Sequence, residues 1–194
     1  MHNYRDFLGE VLISEEQLQK RIAELGAQIT QDYYGKKLLL VCILRGGVMF
    51  LTDLMRHIEV PHAIEFMAVS SYGVGERSTT GQVRITYDLN TSVEDRDVIL
   101  VEDIVDSGRT IASVLDLLST RKPQSLCVCA LLDKVERREV QIPVKYVGFT
   151  IPNKFVFGYG LDIDDYYRNL PFIGVVDIPR YEAMIQDSPQ DPIV

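Results

Sequence analysis

Leu18, Ile22, Leu25 and Ile29 recur three or four residues apart, the spacing of one face of an α-helix. Ser14 followed by Gln17 has the form of a capping box ahead of that run, and Gly35 stands beyond it. The pattern predicts an amphipathic helix over about 14–34. "LLLVCIL" at 38–44 is apolar at every position, as a central strand covered on both faces must be. It ends in Arg45-Gly46-Gly47, after which Val48, Leu51, Leu54 and Met55 mark a second helix.

The same rhythms continue downstream. "AIEFMAVSS" and "QVRITYDL" read as strands, then "DVILVED" as strand, "TIASVLDLLST" as helix and "SLCVCALLD" as strand; "VKYVGFTI" and "FIGVVDI" follow as later strands. Strands alternating with helices of this length predict an α/β fold with a mostly parallel, twisted central sheet flanked by helices. At 194 residues the chain is long enough for one well-cored domain, and its length alone gives little reason for two. There is no internal repeat or low-complexity segment. The Pro-containing tail from about Ser188, with its lead-in "DIPR", reads as a loose end. "SSYGVGERSTTG" at 70–81 combines glycines with a Ser/Thr cluster and has no apolar face. A solvated hairpin loop is one reading, and a mobile lid is the other, because a loop this long in a compact domain is often functional.

Composition narrows the ligand. The formal charge of −8 gives no field-driven attraction to nucleic acid or to an anionic membrane, so an anionic ligand must be held by local amides, a few cations or a metal ion. Apolar runs fall far short of the ~20 residues of a membrane span, and the N-terminus lacks a signal-peptide core, so a cytoplasmic protein is expected. Cys42, Cys127 and Cys129 lie inside apolar strand-like runs and are expected to be buried free thiols. His2, His57 and His62 have no metal-ligand spacing with one another or with the cysteines.

The chemistry concentrates in "VILVEDIVDSGRT", residues 98–110. An apolar strand ends in adjacent carboxylates, Glu102 and Asp103, and a third, Asp106, opens a turn rich in hydroxyls before a helix begins near Thr110. Ligands of open parallel sheets bind beyond the carboxyl ends of strands. Neighbouring residues of a strand point to opposite faces, so both acids can serve one ligand only if the strand ends and turns there. The loop that follows offers backbone amides, a glycine, hydroxyls and a helix N-terminus, which together cradle a phosphate. Carboxylates for hydroxyl groups beside a loop for phosphate suit a sugar phosphate. Helix capping by Asp106 and Ser107 would account for one acid of the three. A receiver domain with paired metal-binding acids would need an Asp where Arg45-Gly46-Gly47 stands.

This stretch resembles the phosphoribosyl-pyrophosphate motif of the type I phosphoribosyltransferases, an apolar strand, two acids and a D-[ST]-G-x-T loop. "LLLVCILRGGVMFLTDLMRHI" is similar to the pyrophosphate-loop region of that family's 6-oxopurine branch, the hypoxanthine-guanine phosphoribosyltransferases. "SSYG" resembles its closing loop, and "LLDK" at 131–134 with "IPNKFVFGYGLDIDDYYRNLP" at 151–171 its base-binding region. The likeness covers roughly residues 10–180, and Arg45 and Arg109 stand where Lys also occurs. It implies a small hood built from the N- and C-terminal segments. It implies transfer of the 5-phosphoribosyl group from phosphoribosyl pyrophosphate to hypoxanthine or guanine, giving IMP or GMP and pyrophosphate, with Mg²⁺ and a homodimer or homotetramer.

By the same resemblance, Glu102 and Asp103 address the ribose hydroxyls and metal, and Asp106 takes the proton from purine N7. Asp106, Ser107, Gly108, Arg109 and Thr110 hold the 5′-phosphate. Arg45, Gly46 and Gly47, with Arg168, hold pyrophosphate, and the Leu44–Arg45 peptide is expected to be cis. Lys134 reads the purine O6, Phe155 stacks on the base, the Val156 backbone meets its edge, Asp162 lies near a second Mg²⁺, and Ser71 and Tyr72 belong to the lid. Taken alone, Lys134 would pass for a solvated member of "DKVERRE" and Phe155 for core. A regulator that keeps the motif as a sensor would need a basic face or an added domain, and a pyrimidine transferase would lack Lys134 and "KFVFGYGLD".

Overall fold

The computed structural model describes residues 3–71 and 83–186. Ser14 Oγ accepts from the Gln17 amide at 3.3 Å while Gln17 Oε1 accepts from the Ser14 amide at 2.8 Å, closing the capping box that starts α1 (Glu15–Asp32). The apolar run becomes β2 (Leu38–Leu44), followed by α2 (Val48–Arg56) and β3 (His62–Ser71). β4 (Val83–Tyr87), β5 (Asp97–Val105), α3 (Arg109–Ser119), β6 (Ser125–Asp133) and β7 (Val144–Thr150) complete the main sheet and its helices. The strand order is β4-β3-β2-β5-β6-β7, parallel throughout except for β4, as the alternation of strands and helices predicts. The proposed lid falls outside the described residues from Tyr72 onward.

The continuous apolar runs have a packing cause. Leu38, Leu40 and Cys42 of β2 join Ile99 and Val101 of β5 under Leu18, Ile22, Leu25 and Ile29 of α1 and Phe50, Leu51 and Leu54 of α2. The alternate residues, Leu39, Val41 and Ile43 with Val98 and Leu100, pack on Ile111, Val114, Leu115 and Leu118 of α3. Each strand therefore buries both faces, and a polar residue on either would lie in a core.

From β2 the chain runs outward to β3 and later returns to β5 on the other flank of β2. Connections thus leave in opposite directions at the β2/β5 boundary, where an open sheet forms its crevice. The β2–β5 ladder stops at Cys42–Val101, whereas β5 stays paired to β6 as far as Val105–Asp133. The β2-facing side of residues 102–105 is left open.

Three features go beyond what the periodic pattern specifies. "FIGVVDI" supplies β9 (Ile173–Val176), which does not extend the main sheet. It pairs antiparallel with β1 (Leu8–Ile13) and β8 (Val156–Phe157) in a separate three-stranded layer. β1 is mostly exposed and carries Gly9 and Glu10, so it left no periodic signal. "DIPR" is not loose: Tyr181 N donates to Asp177 O at 2.9 Å and Arg180 N to Asp177 Oδ1 at 3.2 Å, starting α4 (Ile178–Gln186), with Pro179 in the first turn, where a missing amide costs nothing. Phe7, Phe157, Ile163, Leu170 and Val176 form the core of this layer, joining the N-terminal and C-terminal segments. No described helix is long and apolar enough to cross a membrane.

Gly26 lies mid-α1 against the end of α2, where an added Cβ would stand 2.4 Å from His57 Cβ and 2.7 Å from its carbonyl oxygen. Helix propensity alone would make Gly26→Ala stabilising by about 1 kcal/mol. The helix contact reverses that sign, and a loss of about 1–3 kcal/mol is expected in urea melts.

Candidate active site

Past Val101, β5 continues through Glu102, Asp103 and Ile104 to Val105. The strand does not turn at the paired acids, as the sequence reading required, because β6 keeps pairing with it. The carboxylates therefore take opposite sides. Glu102 joins Ile104, Asp106, Ser107, Gly108, Thr110, Ile111 and Ile43 around a cleft of about 220 Å³. Asp103 lies against the loop after β2, where a Cβ on Gly46 would fall 1.6 Å from Asp103 Oδ2. Any side chain at 46 would displace the Asp103 carboxylate from this position. The Leu44–Arg45 peptide is cis, as the resemblance implied. Val48 N donates to Arg45 O at 3.3 Å, so Gly46 and Gly47 form a tight turn into α2.

Capping does not explain the acid of the loop. α3 begins at Arg109 with Gly108 (φ +83°) in the cap position and no side-chain cap. The first amides of α3 thus face the cleft with the helix dipole behind them, the arrangement that attracts an anion. Ser107 Oγ accepts from the Arg109 amide at 3.4 Å. The Arg109 guanidinium points elsewhere, its Nε 2.6 Å from Glu139 Oε2, so this residue offers the cleft its backbone rather than its charge.

Asp106 faces two cations instead. Lys134 Nζ is 3.4 Å from Oδ2 and Arg137 Nε is 3.0 Å from Oδ1. Lys134 is 7% exposed, which removes the reading of a solvated side chain. Its amide donates to Val105 O at 2.9 Å, fixing it beside the end of β5. The 151–156 segment follows alongside, with Ile151 N donating to Asp133 O at 3.0 Å. Phe155 is 51% exposed, so it is not core, while Val156 is buried. Asp106 in turn raises the pKa of the Arg137 guanidinium by hydrogen bonding and charge.

A second network lies beyond Asp103. Arg168 donates to Gly160 O at 2.8 Å and reaches Asp162 Oδ1 at 2.9 Å and Asp165 Oδ1 at 3.2 Å. Arg45 Nη1 reaches the same Asp165 oxygen at 3.1 Å. The structure thus brings Arg45, Arg168 and Asp162 together, with Gly46 and Asp103 beside Arg45's loop. Ser71 ends β3, and Tyr72 lies outside the described residues. Arg137, Glu139 and Asp165 were not singled out in the sequence, because each sits in a charged run that reads as solvated surface.

Burial dominates the electrostatics. It pushes the Glu102 carboxyl well above the ordinary range, and the neighbouring Asp103 carboxylate adds to the rise. Asp103 is pushed up to about 6, chiefly by burial, against the lowering effect of the Ile104 amide and Arg168. Cys42 is held up at about 12 by burial and then by these two acids, so its thiol is inert. Among the described residues, no three Asp, Glu, His or Cys side chains gather into a ready-made metal cage.

Comparison with known proteins agrees with this geometry. The family described as "Phosphoribosyl transferase domain" matches residues 13–164. The hypoxanthine phosphoribosyltransferase of Salmonella typhimurium is 51% identical over 169 residues, covering 86% of this chain and 94% of that protein. The hypoxanthine-guanine phosphoribosyltransferase of Staphylococcus aureus is 50% identical over 176 residues, covering 91% and 96%. A crystal structure of a Staphylococcus aureus hypoxanthine phosphoribosyltransferase superposes with a TM-score of 0.88 at 48% identity, over 92% of this chain and 96% of that one. Identity at this level over nearly the whole of each relative is decisive for ancestry, and the chain belongs to the phosphoribosyltransferase family, in its hypoxanthine-guanine branch.

Proposed function

We propose that the cleft at the open end of β5 binds phosphoribosyl pyrophosphate and a 6-oxopurine, and joins them into IMP or GMP with release of pyrophosphate. The observation that carries the reading is the position of the Asp106 carboxylate, between the buried Lys134 ammonium and the uncapped start of α3. Ser107, Gly108, Arg109 and Thr110 hold the 5′-phosphate through amides and hydroxyls. Glu102, which lines the cleft, accepts hydrogen bonds from the ribose hydroxyls, and Asp103, on the opposite side of the strand against the Gly46 turn, addresses the sugar through metal-bound water. Arg45, Gly46, Gly47 and Arg168 hold the pyrophosphate. Lys134 donates to O6, Phe155 stacks on the base, and the Val156 backbone meets its edge.

Purine N9 bonds to ribose C1′ as the C1′–O bond to pyrophosphate breaks, with inversion at carbon. The N7 proton passes to Asp106. The 3.4 Å contact from Lys134 to Asp106 is at the long limit of a hydrogen bond, so O6 can draw the ammonium away at little cost.

Magnesium fits this donor set as a guest of the substrate. Glu102 and Asp103 at the strand end and Asp162 beyond them offer the oxygen donors that magnesium prefers, and among the described residues they do not form a cage of their own. Mg²⁺ is held in this way, by one or two carboxylates plus substrate oxygens. When bound, it would neutralise charge building on the leaving pyrophosphate. No nucleic acid or membrane enters the reading. A cytoplasmic homo-oligomer, dimer or tetramer, remains part of it, and sedimentation velocity measures the assembly.

The decisive assay follows absorbance with phosphoribosyl pyrophosphate, Mg²⁺ and each purine in turn. Hypoxanthine or guanine should react, and Asp106→Asn should lower kcat by roughly 10²- to 10⁴-fold with little change in the KM for the sugar phosphate. Binding without turnover of any base would replace the enzyme reading with a sensor. Adenine should be poorer by about 10⁴-fold in kcat/KM, because its 6-amino group opposes a donor with a donor. Comparable turnover of adenine would remove Lys134 from its role.

The raised acids also carry a stability consequence. An unfolded Asp ionises near about 3.9, and folded Asp103 near about 6, so the unfolded chain releases its proton first. Ligand-free stability contributed by this group is therefore highest below the unfolded value, falls as pH rises through that window, and stays lower above it. In metal-free buffer at pH 7.5, Asp103→Asn should stabilise the fold by on the order of 1–3 kcal/mol while reducing activity, and the gain should vanish near pH 4.

A further inference from the structure

Two cations assigned to the pyrophosphate group already share an anion. Arg45 comes from the turn after β2 and Arg168 from the segment leading to β9, yet both guanidinium groups meet one oxygen, Oδ1 of Asp165, at 3.1 and 3.2 Å. Among the described residues Asp165 is the carboxylate that Arg45 reaches. The backbone is bent to bring it there: Asp164 (φ +51°) and Asp165 (φ +68°) both lie in the left-handed region, and the Asp165 amide donates to Asp162 Oδ2 at 2.8 Å. A turn of this kind is uncommon for residues other than glycine.

We propose that Asp165 is an internal stand-in for pyrophosphate, holding Arg45 and Arg168 in the ligand-free protein and competing for them with the phosphates of substrate and product. The inference rests on the reading of those two arginines as pyrophosphate ligands, and it names a residue that regulates their occupancy. Arg168 does not need Asp165 for its place, since Gly160 O and Asp162 Oδ1 also hold it, at 2.8 and 2.9 Å. Removing the Asp165 charge therefore frees the cations without dispersing both of them. The competitor is weak by construction: Arg45 and Asp165 are 71% and 63% exposed, and solvent screens such pairs. A multiply charged pyrophosphate displaces one carboxylate on arrival, and that carboxylate reclaims the arginines as the product leaves.

Asp165→Asn tests this, because Asn keeps the shape and tolerates positive φ. Asp164→Asn is the control: it makes the same charge change one residue away, on a carboxylate that accepts from the Tyr181 hydroxyl rather than from the arginines. Titration calorimetry with magnesium pyrophosphate should show roughly three- to tenfold tighter binding to Asp165→Asn and an unchanged constant for Asp164→Asn. Equal tightening in both variants would assign the effect to net charge and overturn the inference. Unchanged or weaker binding in Asp165→Asn would also overturn it, weaker binding meaning that Asp165 helps to hold the metal. If the unmodified protein binds no magnesium pyrophosphate, the assignment of Arg45 and Arg168 fails, and the role of Asp165 falls with it.

Discussion

Burying two acidic side chains at the end of a central strand disfavours their charged forms, and Glu102 and Asp103 impose that constraint on everything around them. Burial raises both pKa values. The sheet has to tolerate this at its centre, because the crevice of an open parallel sheet lies where its connections diverge, here between β2 and β5. The core under α1 and α2 and the core under α3 supply the apolar burial that offsets the cost of burying two acids at that point. Activity and ligand-free stability are set against each other by the same pair of side chains.

Elsewhere the ligand-free site neutralises itself. Asp106 is met by Lys134 and Arg137, Arg109 by Glu139, and Arg45 and Arg168 by Asp165. Apart from Lys134 and the half-buried Arg168, the partners are exposed to water, and the pairs are correspondingly cheap to part. A site prepared for a substrate of high negative charge can thus remain folded and close to neutral before the substrate arrives. In the proposed reaction, phosphate and O6 would take the place of carboxylates as partners of these cations.

Much of this was legible in the sequence, for identifiable reasons. The capping box of α1, the doubly buried run of β2 and the phosphate loop are local patterns whose geometry follows from neighbours in the chain. What was not legible depends on contacts remote in sequence. β1 exists because β9 pairs with it, although its own residues are mostly exposed. Asp165 and Arg137 look like solvated charges until the fold sets Arg45 beside the one and Asp106 beside the other. The opposite facing of Glu102 and Asp103 was predictable from strand geometry, but the continuation of β5 past them was not, since it is decided by β6.

The segment from Lys134 to Val140 ties the Lys134 side of the cleft to the loop that precedes α3. Lys134 N donates to Val105 O at 2.9 Å, and the Glu139 and Val140 amides both donate to Ser107 O, at 2.9 and 3.1 Å. Arg138 closes the segment through a largely buried ion pair with Asp133, and its Cδ and the Val140 carbonyl press on Gly108 from the side where a Cβ would go. Lys134 and the loop at 107–110, the proposed base reader and phosphate holder, are therefore joined by backbone hydrogen bonds rather than by long side chains. Rotational freedom in Lys134 or Arg109 can change how tightly each group is held, but it cannot change the spacing between the two subsites. Bond formation between base and sugar is sensitive to errors of about 1 Å. A spacing fixed by main-chain contacts at the end of β5 is the element of this site that side-chain substitutions around it are least able to disturb.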